Sequence, residues 1–395
     1  MWGEDVIQPI SELSKPVIEL DICSALRRPR FPRRPGVLQR LPPSSVRYGC
    51  EPGGDLAAAV ADDFGGAVFL KRQSTAHRIQ APKESSHPSI PIPSLRIANG
   101  VGLMSPDPTQ KVTMHTLKNL YKKGEPIAMI TAHDFPSAHA ADVAGMDMVL
   151  VGDSLGMVAM GLENTTEVIM EEMLLHCRSV ARGAKSAFIV GDLPMGSYEV
   201  SPEQAVESSL RLVKEGRVHG VKIEGGEELG PTIKRITQAG IPVVGHVGLT
   251  PQRQNALGGF RVQGKTSTSA MKLLHDALVM QEAGVFMFVL EAMPPEVATL
   301  ITQKLHVPTI GIGAGNGCSG QVLVQVDMTG NFEPGRFVPK FVKKYADVWG
   351  EATQGIAAYR EEVKSRAFPS PEYTYPISKE ELAKFQQKVD EIYQK

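Results

Sequence analysis

From Lys111 onward the chain repeats one unit, a short apolar run that ends in a polar residue or glycine, followed by an amphipathic stretch. The runs are Ile127–Thr131, Met148–Asp153, Ala187–Asp192, Gly220–Glu224, Val243–His246, Phe286–Glu291, Thr309–Gly313 and Val322–Asp327. Each has the length of a strand. Helical patterns lie between them, such as Ser201-Pro-Glu-Gln204, an N-cap followed by proline at the first helical position, where no backbone donor is needed. Eight strands alternating with helices over roughly 220 residues predict an α/β fold, a (β/α)8 TIM barrel. A doubly wound open sheet is the structural alternative.

The flanks read differently. Fourteen of the 29 prolines fall in the first 108 residues, among Ser-rich and Gly-rich stretches with little periodicity. Prolines at this density remove backbone donors and interrupt helices, so residues 1–108 are expected to be a disordered extension. Residues 22–50 hold seven arginines and no acid, which resembles a mitochondrial transit segment. Glu4, Asp5, Glu12, Glu19 and Asp21 depart from that pattern, and a start downstream of Met1 or a plain tail would account for them. The expected location is mitochondrial, with the cytoplasm as the alternative. The catalytic barrel is assigned to 109–345 and a helical extension to 346–395. In that extension Ser378 and Glu381 form a capping-box pattern, and Leu382, Phe385, Val389 and Ile392 form one apolar stripe, expected to pack on the barrel or on a neighbouring subunit.

Composition narrows the partners. Lys+Arg number 42 against 43 Asp+Glu, a balance that argues against a broad basic surface for nucleic acid. No apolar run approaches the roughly 18 residues of a membrane helix. Neither nucleic acid nor membrane is an expected partner. Cys23, Cys50, Cys177 and Cys318 are far apart and form no CxxC pair, so any metal is expected on carboxylates.

What terminates the strands carries the chemistry. Asp153, Asp192, Glu224, His246 and Glu291 end the second to sixth runs in succession. In a barrel such residues converge on one mouth, where three carboxylates suit a hard divalent cation. Each also has a structural reading: Asp153 could cap a helix, Glu224 could pair with Lys222, and His246 could be a satisfied core histidine. Gly152-Asp-Ser-Leu-Gly156 matches the nucleophile elbow of serine hydrolases, but no evident long helix follows it. Gly311-Ile-Gly-Ala-Gly315-Asn316 lacks the last glycine of a dinucleotide loop and reads as a tight turn on the barrel rim. Lys340, Lys343 and Lys344 read as a solvated face.

Six motifs in order give the chain a family resemblance. They are Val151-Gly-Asp-Ser-Leu-Gly156, Gly191-Asp-Leu-Pro194, Val221-Lys-Ile-Glu-Gly-Gly226, Gly245-His-Val-Gly-Leu-Thr-Pro251, Gly258-Gly-Phe-Arg-Val-Gln-Gly264 and Gly311-Ile-Gly-Ala-Gly315. With them the sequence resembles the ketopantoate (3-methyl-2-oxobutanoate) hydroxymethyltransferases of pantothenate biosynthesis, in their fungal form, from about Val112 to Val342. The resemblance implies a Mg²⁺-dependent barrel in which Asp153, Asp192 and Glu224 hold the metal. It further implies that Asp153, Ser154, Asp192 and Lys222 contact the keto acid, with His246 near the site and Glu291 as catalytic base. The implied reaction passes a hydroxymethyl group from 5,10-methylenetetrahydrofolate to 3-methyl-2-oxobutanoate, giving 2-dehydropantoate and tetrahydrofolate. The implied assembly is a homo-oligomer. The sequence departs from the family at His133, where tyrosine is common, at Gly191, where alanine is common, and at Cys318-Ser319. The rival readings are a Mg²⁺-dependent carbon–carbon lyase or mutase, which would not depend on folate, and a non-catalytic metabolite-binding barrel.

Overall fold

The computed structural model describes residues 111–393. The expected disordered extension and transit segment, with its arginines, lie outside the described residues. Eight parallel strands close into a barrel, in the order β1 (Ile127–Thr131), β2 (Met148–Val151), β3 (Phe188–Asp192), β4 (Gly220–Glu224), β5 (Val243–Gly248), β6 (Met287–Glu291), β7 (Thr309–Ile312) and β8 (Gly320–Leu323). Closure is direct: Ile127 of β1 aligns with Gly320 of β8. The barrel excludes the open doubly wound sheet.

Strand parity divides each strand between two cores. One set of positions, including Ile130, Val149, Ile189, Val221, Val243, Phe288 and Leu290, packs against the surrounding helices. The alternate set, Ile127, Met129, Met148, Phe188, Val190, Val244, Met287 and Ile310, fills the barrel itself. Leu117 joins that inner cluster from the helix Met114–Lys123, so the first helix seals the end where the strands begin. Thr113 fixes its start with a capping box shared with Thr116, and Gly124 ends it at φ 71°. The helix Pro202–Lys214 starts as its sequence predicts, with Ser201 accepting a hydrogen bond from the Gln204 amide.

Two strand ends differ from the sequence reading in ways that move named residues. β2 stops at Val151, so Asp153 stands in the turn beyond it rather than on the strand. β8 stops at Leu323, and the Gln325 amide donates to the Thr131 hydroxyl as the chain turns into the helix Gln325–Thr329. Asp327 is therefore helical, where it pairs with Arg336 at 3.1 Å. The C-terminal helices, Val348–Ser365 and Lys379–Ile392, bury no side chain. Ser378 caps the second through the Glu381 amide, but the Glu381 carboxylate turns to Lys384 instead of completing the box. Leu382, Phe385 and Ile392 stay exposed, so the apolar stripe finds no cover within the described residues of this chain.

Candidate active site

The strand parity that fills the barrel with apolar side chains also aims the site residues. On β3 the inward series runs Phe188, Val190, Asp192; on β5 it ends Val244, His246; on β6 it runs Met287, Val289, Glu291. β4 contributes two inward residues, Lys222 and Glu224. The polar members, Asp192, Lys222, Glu224, His246 and Glu291, with Asp153 and Ser154 from the turn after β2, line one cavity of about 710 Å³ at the C-terminal end of the barrel. The expected residues are thus brought together. His133, the departure on β1's loop, does not line the cavity.

Contacts within the cluster are close. Asp192 Oδ2 accepts from the Asp153 amide at 3.0 Å and pairs with Lys222 Nζ at 3.1 Å. Lys222 Nζ also stands 3.6 Å from Glu224 Oε1 and 3.3 Å from His246 Nδ1. His246 Nδ1 pairs with Glu224 Oε1 at 3.2 Å. On its other side His246 Nε2 lies 3.3 Å from Glu291 Oε2, an approach without hydrogen-bond geometry. Glu291 is the most open member: its side chain is 15% exposed, against 1–5% for Asp192, Lys222, Glu224 and His246.

The backbone around Glu291 is shaped to hold it there. Gly248 at the end of β5 has φ 104°, and a Cβ on it would fall 2.2 Å from the Glu291 carbonyl oxygen, so only glycine lets the two strand ends meet. Ala292, immediately after Glu291, takes φ 48°, a left-handed conformation that is uncommon for alanine. Its amide and carbonyl are both bonded, to Ile312 and to the Gln263 amide, which supports the turn.

Burial sets the electrostatics. Burial, then the charges of Asp192 and Glu224, holds the Asp153 carboxyl well above the usual range. Asp192 is also raised, by burial first, against the opposing pull of Lys222. Burial would lift Glu224, but His246 and Lys222 outweigh it and hold the carboxyl low. Burial would strip the proton from Lys222, yet three carboxylates keep it charged. Burial and Lys222 both pull His246 down, and Glu224 overcomes them, raising the imidazole to about 9. Two carboxylates pushed toward protonation mark a place where a cation would be welcome.

The oxygens available to a cation are specific. Asp192 Oδ1 is buried with no hydrogen-bond partner. Asp153 Oδ2 is held by Gln252. Both Glu224 oxygens are engaged, Oε1 by His246 and Lys222, Oε2 by the Gln252 amide. Among the described residues no three donor side chains stand at metal-binding spacing. The two aspartates suit Mg²⁺, which takes one or two carboxylates and keeps several waters; Glu224 stands beside them already committed.

Gln252 is the member that sequence reasoning missed. It is 2% exposed and uses every polar group of its side chain. Its Nε2 donates to Asp153 Oδ2 at 2.8 Å and to the Leu193 carbonyl at 2.9 Å, while Oε1 accepts from the Tyr198 hydroxyl at 2.5 Å. It thereby ties the loops after β2, β3 and β5 together. Only its place one residue beyond the Gly245–Pro251 motif hinted at this.

Other motifs resolve as packing. Only the four-residue helix Leu155–Val158 follows Ser154, and no histidine among the described residues bonds to Ser154, so the nucleophile elbow is not formed. A Cβ at position 191 would lie 3.1 Å from Cys177 Sγ and 3.2 Å from Val218, which accounts for glycine there. In the other departure, Ser319 Oγ accepts from the Thr309 amide, joining β7 to the turn before β8.

Comparison with known proteins agrees with these motifs. The profile of the family described as ketopantoate hydroxymethyltransferase matches residues 111–371. The chain is 68% identical over 326 residues to the 3-methyl-2-oxobutanoate hydroxymethyltransferase of Emericella nidulans, covering 82% of this chain and 90% of that protein. It is 50% identical over 263 residues to the enzyme of the same name from Oleidesulfovibrio alaskensis, covering 67% and 90%. It is 48% identical over 284 residues to the Arabidopsis thaliana protein named 3-methyl-2-oxobutanoate hydroxymethyltransferase 1, mitochondrial, covering 71% and 82%.

Proposed function

The chain belongs to the ketopantoate hydroxymethyltransferase family, and on that premise we propose that it moves a hydroxymethyl group from 5,10-methylenetetrahydrofolate to 3-methyl-2-oxobutanoate in pantothenate biosynthesis. The observation that carries this reading is the convergence of Asp192, Lys222, Glu224, His246 and Glu291 from four adjacent strands onto one cavity floor.

Asp153 and Asp192 would hold Mg²⁺, with Glu224 as the third carboxylate of the set. Mg²⁺ would supply Lewis-acid polarisation of the keto carbonyl. Lys222, kept cationic by its neighbours, balances the substrate carboxylate. Ser154 and Asp153, adjacent in the turn after β2, orient the acid at the floor, and His246 closes the side toward Glu291. Glu291 takes the C3 proton, leaving the electron pair in the enolate, whose C3 then attacks the methylene carbon of the folate. The sequence makes one carbon–carbon bond and breaks the two carbon–nitrogen bonds that hold the methylene carbon; water supplies the hydroxyl oxygen, and tetrahydrofolate leaves with its two nitrogens reprotonated.

The exposed apolar residues of the C-terminal helices, Ile356, Tyr359, Leu382, Phe385 and Ile392, support a homo-oligomer. Plant relatives named as mitochondrial, together with the arginine-rich segment before residue 50, support import, and the cytoplasm is the alternative. A transfer assay run with and without Mg²⁺ and with and without the folate tests the function. Product formed only when both are present is the expected result. Turnover of the keto acid that ignores the folate would point to lyase or mutase chemistry instead.

A further inference from the structure

Gln252 joins two carboxylates of the site. Its main-chain amide donates to Glu224 Oε2 at 3.1 Å, and its side-chain Nε2 donates to Asp153 Oδ2 at 2.8 Å. The sense of the side-chain amide is therefore decisive. An ionised carboxylate offers only acceptors, so the NH₂ end must face Asp153. The Leu193 carbonyl, 2.9 Å from the same Nε2, makes that demand whatever the charge on Asp153. Turned round, Oε1 would stand against two oxygens.

Oε1 then needs a donor in the interior, and Tyr198 supplies it. Its hydroxyl stands 2.5 Å from Gln252 Oε1 and 3.1 Å from the Glu224 carbonyl. A hydroxyl has one proton, and the shorter contact takes it. The Glu224 carbonyl has another donor in Arg253 Nη2, at 3.4 Å. The Tyr198 ring is 1% exposed and packs in the apolar cluster beneath the helices, where a phenylalanine would fit as well. Packing does not explain the hydroxyl. The loop that carries it is fixed from the helix Pro202–Lys214: Gln204 Nε2 donates to the Gly196 carbonyl at 2.8 Å, and Ser208 Oγ to the Ser197 carbonyl at 2.7 Å. Neither Tyr198 nor Gln252 lines the cavity, so both act on it through the carboxylates.

From this chain of contacts we infer that Tyr198 is a positioning residue for the cation site: by donating to Gln252 Oε1 it locks the amide with Nε2 on Asp153, and so sets the carboxylate that is to receive the metal. The inference rests on the Mg²⁺ reading above. Groups behind a ligand orient it and tune its affinity, and here the support is two side chains deep. The strand end and loop of β3 would then serve the site twice, at Asp192 directly and at Tyr198 through Gln252.

The test is a double-mutant cycle on Mg²⁺ affinity, measured by calorimetry on wild type, Tyr198→Phe, Gln252→Leu and the pair. Tyr198→Phe should weaken Mg²⁺ binding by about fivefold, less than the loss from Gln252→Leu because it acts one contact further away. The double variant should bind no more weakly than Gln252→Leu alone, since the hydroxyl then has no amide to hold. Turnover of Tyr198→Phe should recover to within about twofold of wild type at saturating Mg²⁺. Wild-type affinity in Tyr198→Phe, even with stability lowered, would overturn the inference and leave the hydroxyl a structural contact. Losses that multiply in the double variant, to about 50-fold, would overturn it too, because the two residues would then act independently. If wild type itself takes up no Mg²⁺, it is the metal reading that fails. The same cycle, read in the melting temperature of the metal-free protein, then decides whether Tyr198 holds Gln252: shifts that do not add support the contact, and additive shifts reject it.

Discussion

The lower and upper halves of the barrel interior are built from the same strands with the same parity, yet they are opposites in chemistry. Below lie Ile127, Met129, Met148, Phe188, Met287 and Ile310, apolar and at most 4% exposed. Above lie Asp192, Lys222, Glu224 and His246, equally buried but charged or titratable. Burying apolar area stabilises the fold by about 25 cal/mol per Å². Burying ionised groups costs several kcal/mol each unless partners repay it. The lower half therefore carries stability, and the upper half, costly to stability, is where the proposed chemistry lies.

Substitutions can break this division at either end. Phe188→Ala, in the lower half, should cost about 3–5 kcal/mol in chemical denaturation, with turnover per folded molecule little changed. A comparable loss of turnover would show that the two halves are not separable. Asp153→Asn should do the reverse. It keeps the volume and removes a negative charge from a crowded carboxylate group, so metal-free stability should hold or rise, within about 1 kcal/mol. Calorimetric Mg²⁺ affinity should meanwhile fall by about 100-fold, from the loss of a charged ligand. Stability and affinity falling together would mean that Asp153 is structural.

Gln252→Leu sharpens the boundary. It keeps much of the side-chain bulk but frees Asp153 Oδ2, so Mg²⁺ affinity should drop about 10-fold, the lower end of what a lost supporting contact costs. Gln252→Glu cannot donate to Asp153 and should fare no better; normal affinity in both would remove Gln252 from the site. The smallest effect is that of pH. A group that holds its proton more tightly in the folded chain stabilises folding below its ordinary pKa and loses that contribution as pH rises to the folded value. For His246 the window runs from about 6.5 to about 9. Asp153 and Asp192 act in the same direction from the carboxylate range upward. Metal-free protein should therefore melt at lower temperature as pH is raised from 6 to 9, and saturating Mg²⁺ should flatten the slope. A rising melting temperature over that range would contradict these assignments.

The strands were legible because short apolar runs end where polar residues or glycines begin. β1 and β4 match the sequence reading to the residue, each closed off by a change of composition. β8 was misread because Val322, Val324 and Val326 keep alternating after the strand has ended, and tertiary bonds from Gln325 to Thr131 and Ser137 hold the turn. Asp192, Glu224 and Glu291 were legible as strand ends, which parity sends into the barrel, whereas Asp153 stands in the turn beyond its strand. Gln252 was not legible, because its importance lies in three partners far away in sequence.

The central claim is that the upper half of the interior removes a proton from the keto acid through Glu291. Proton NMR of the C3 position of 3-methyl-2-oxobutanoate in D₂O, with Mg²⁺ and no folate, measures that step alone. Wild type should exchange the proton. Glu291→Gln keeps the size but cannot accept it, so exchange should fall by about 10²–10⁴-fold while the keto acid still binds. Exchange at the wild-type rate in the Gln variant would contradict the account and move the search for the base to His246.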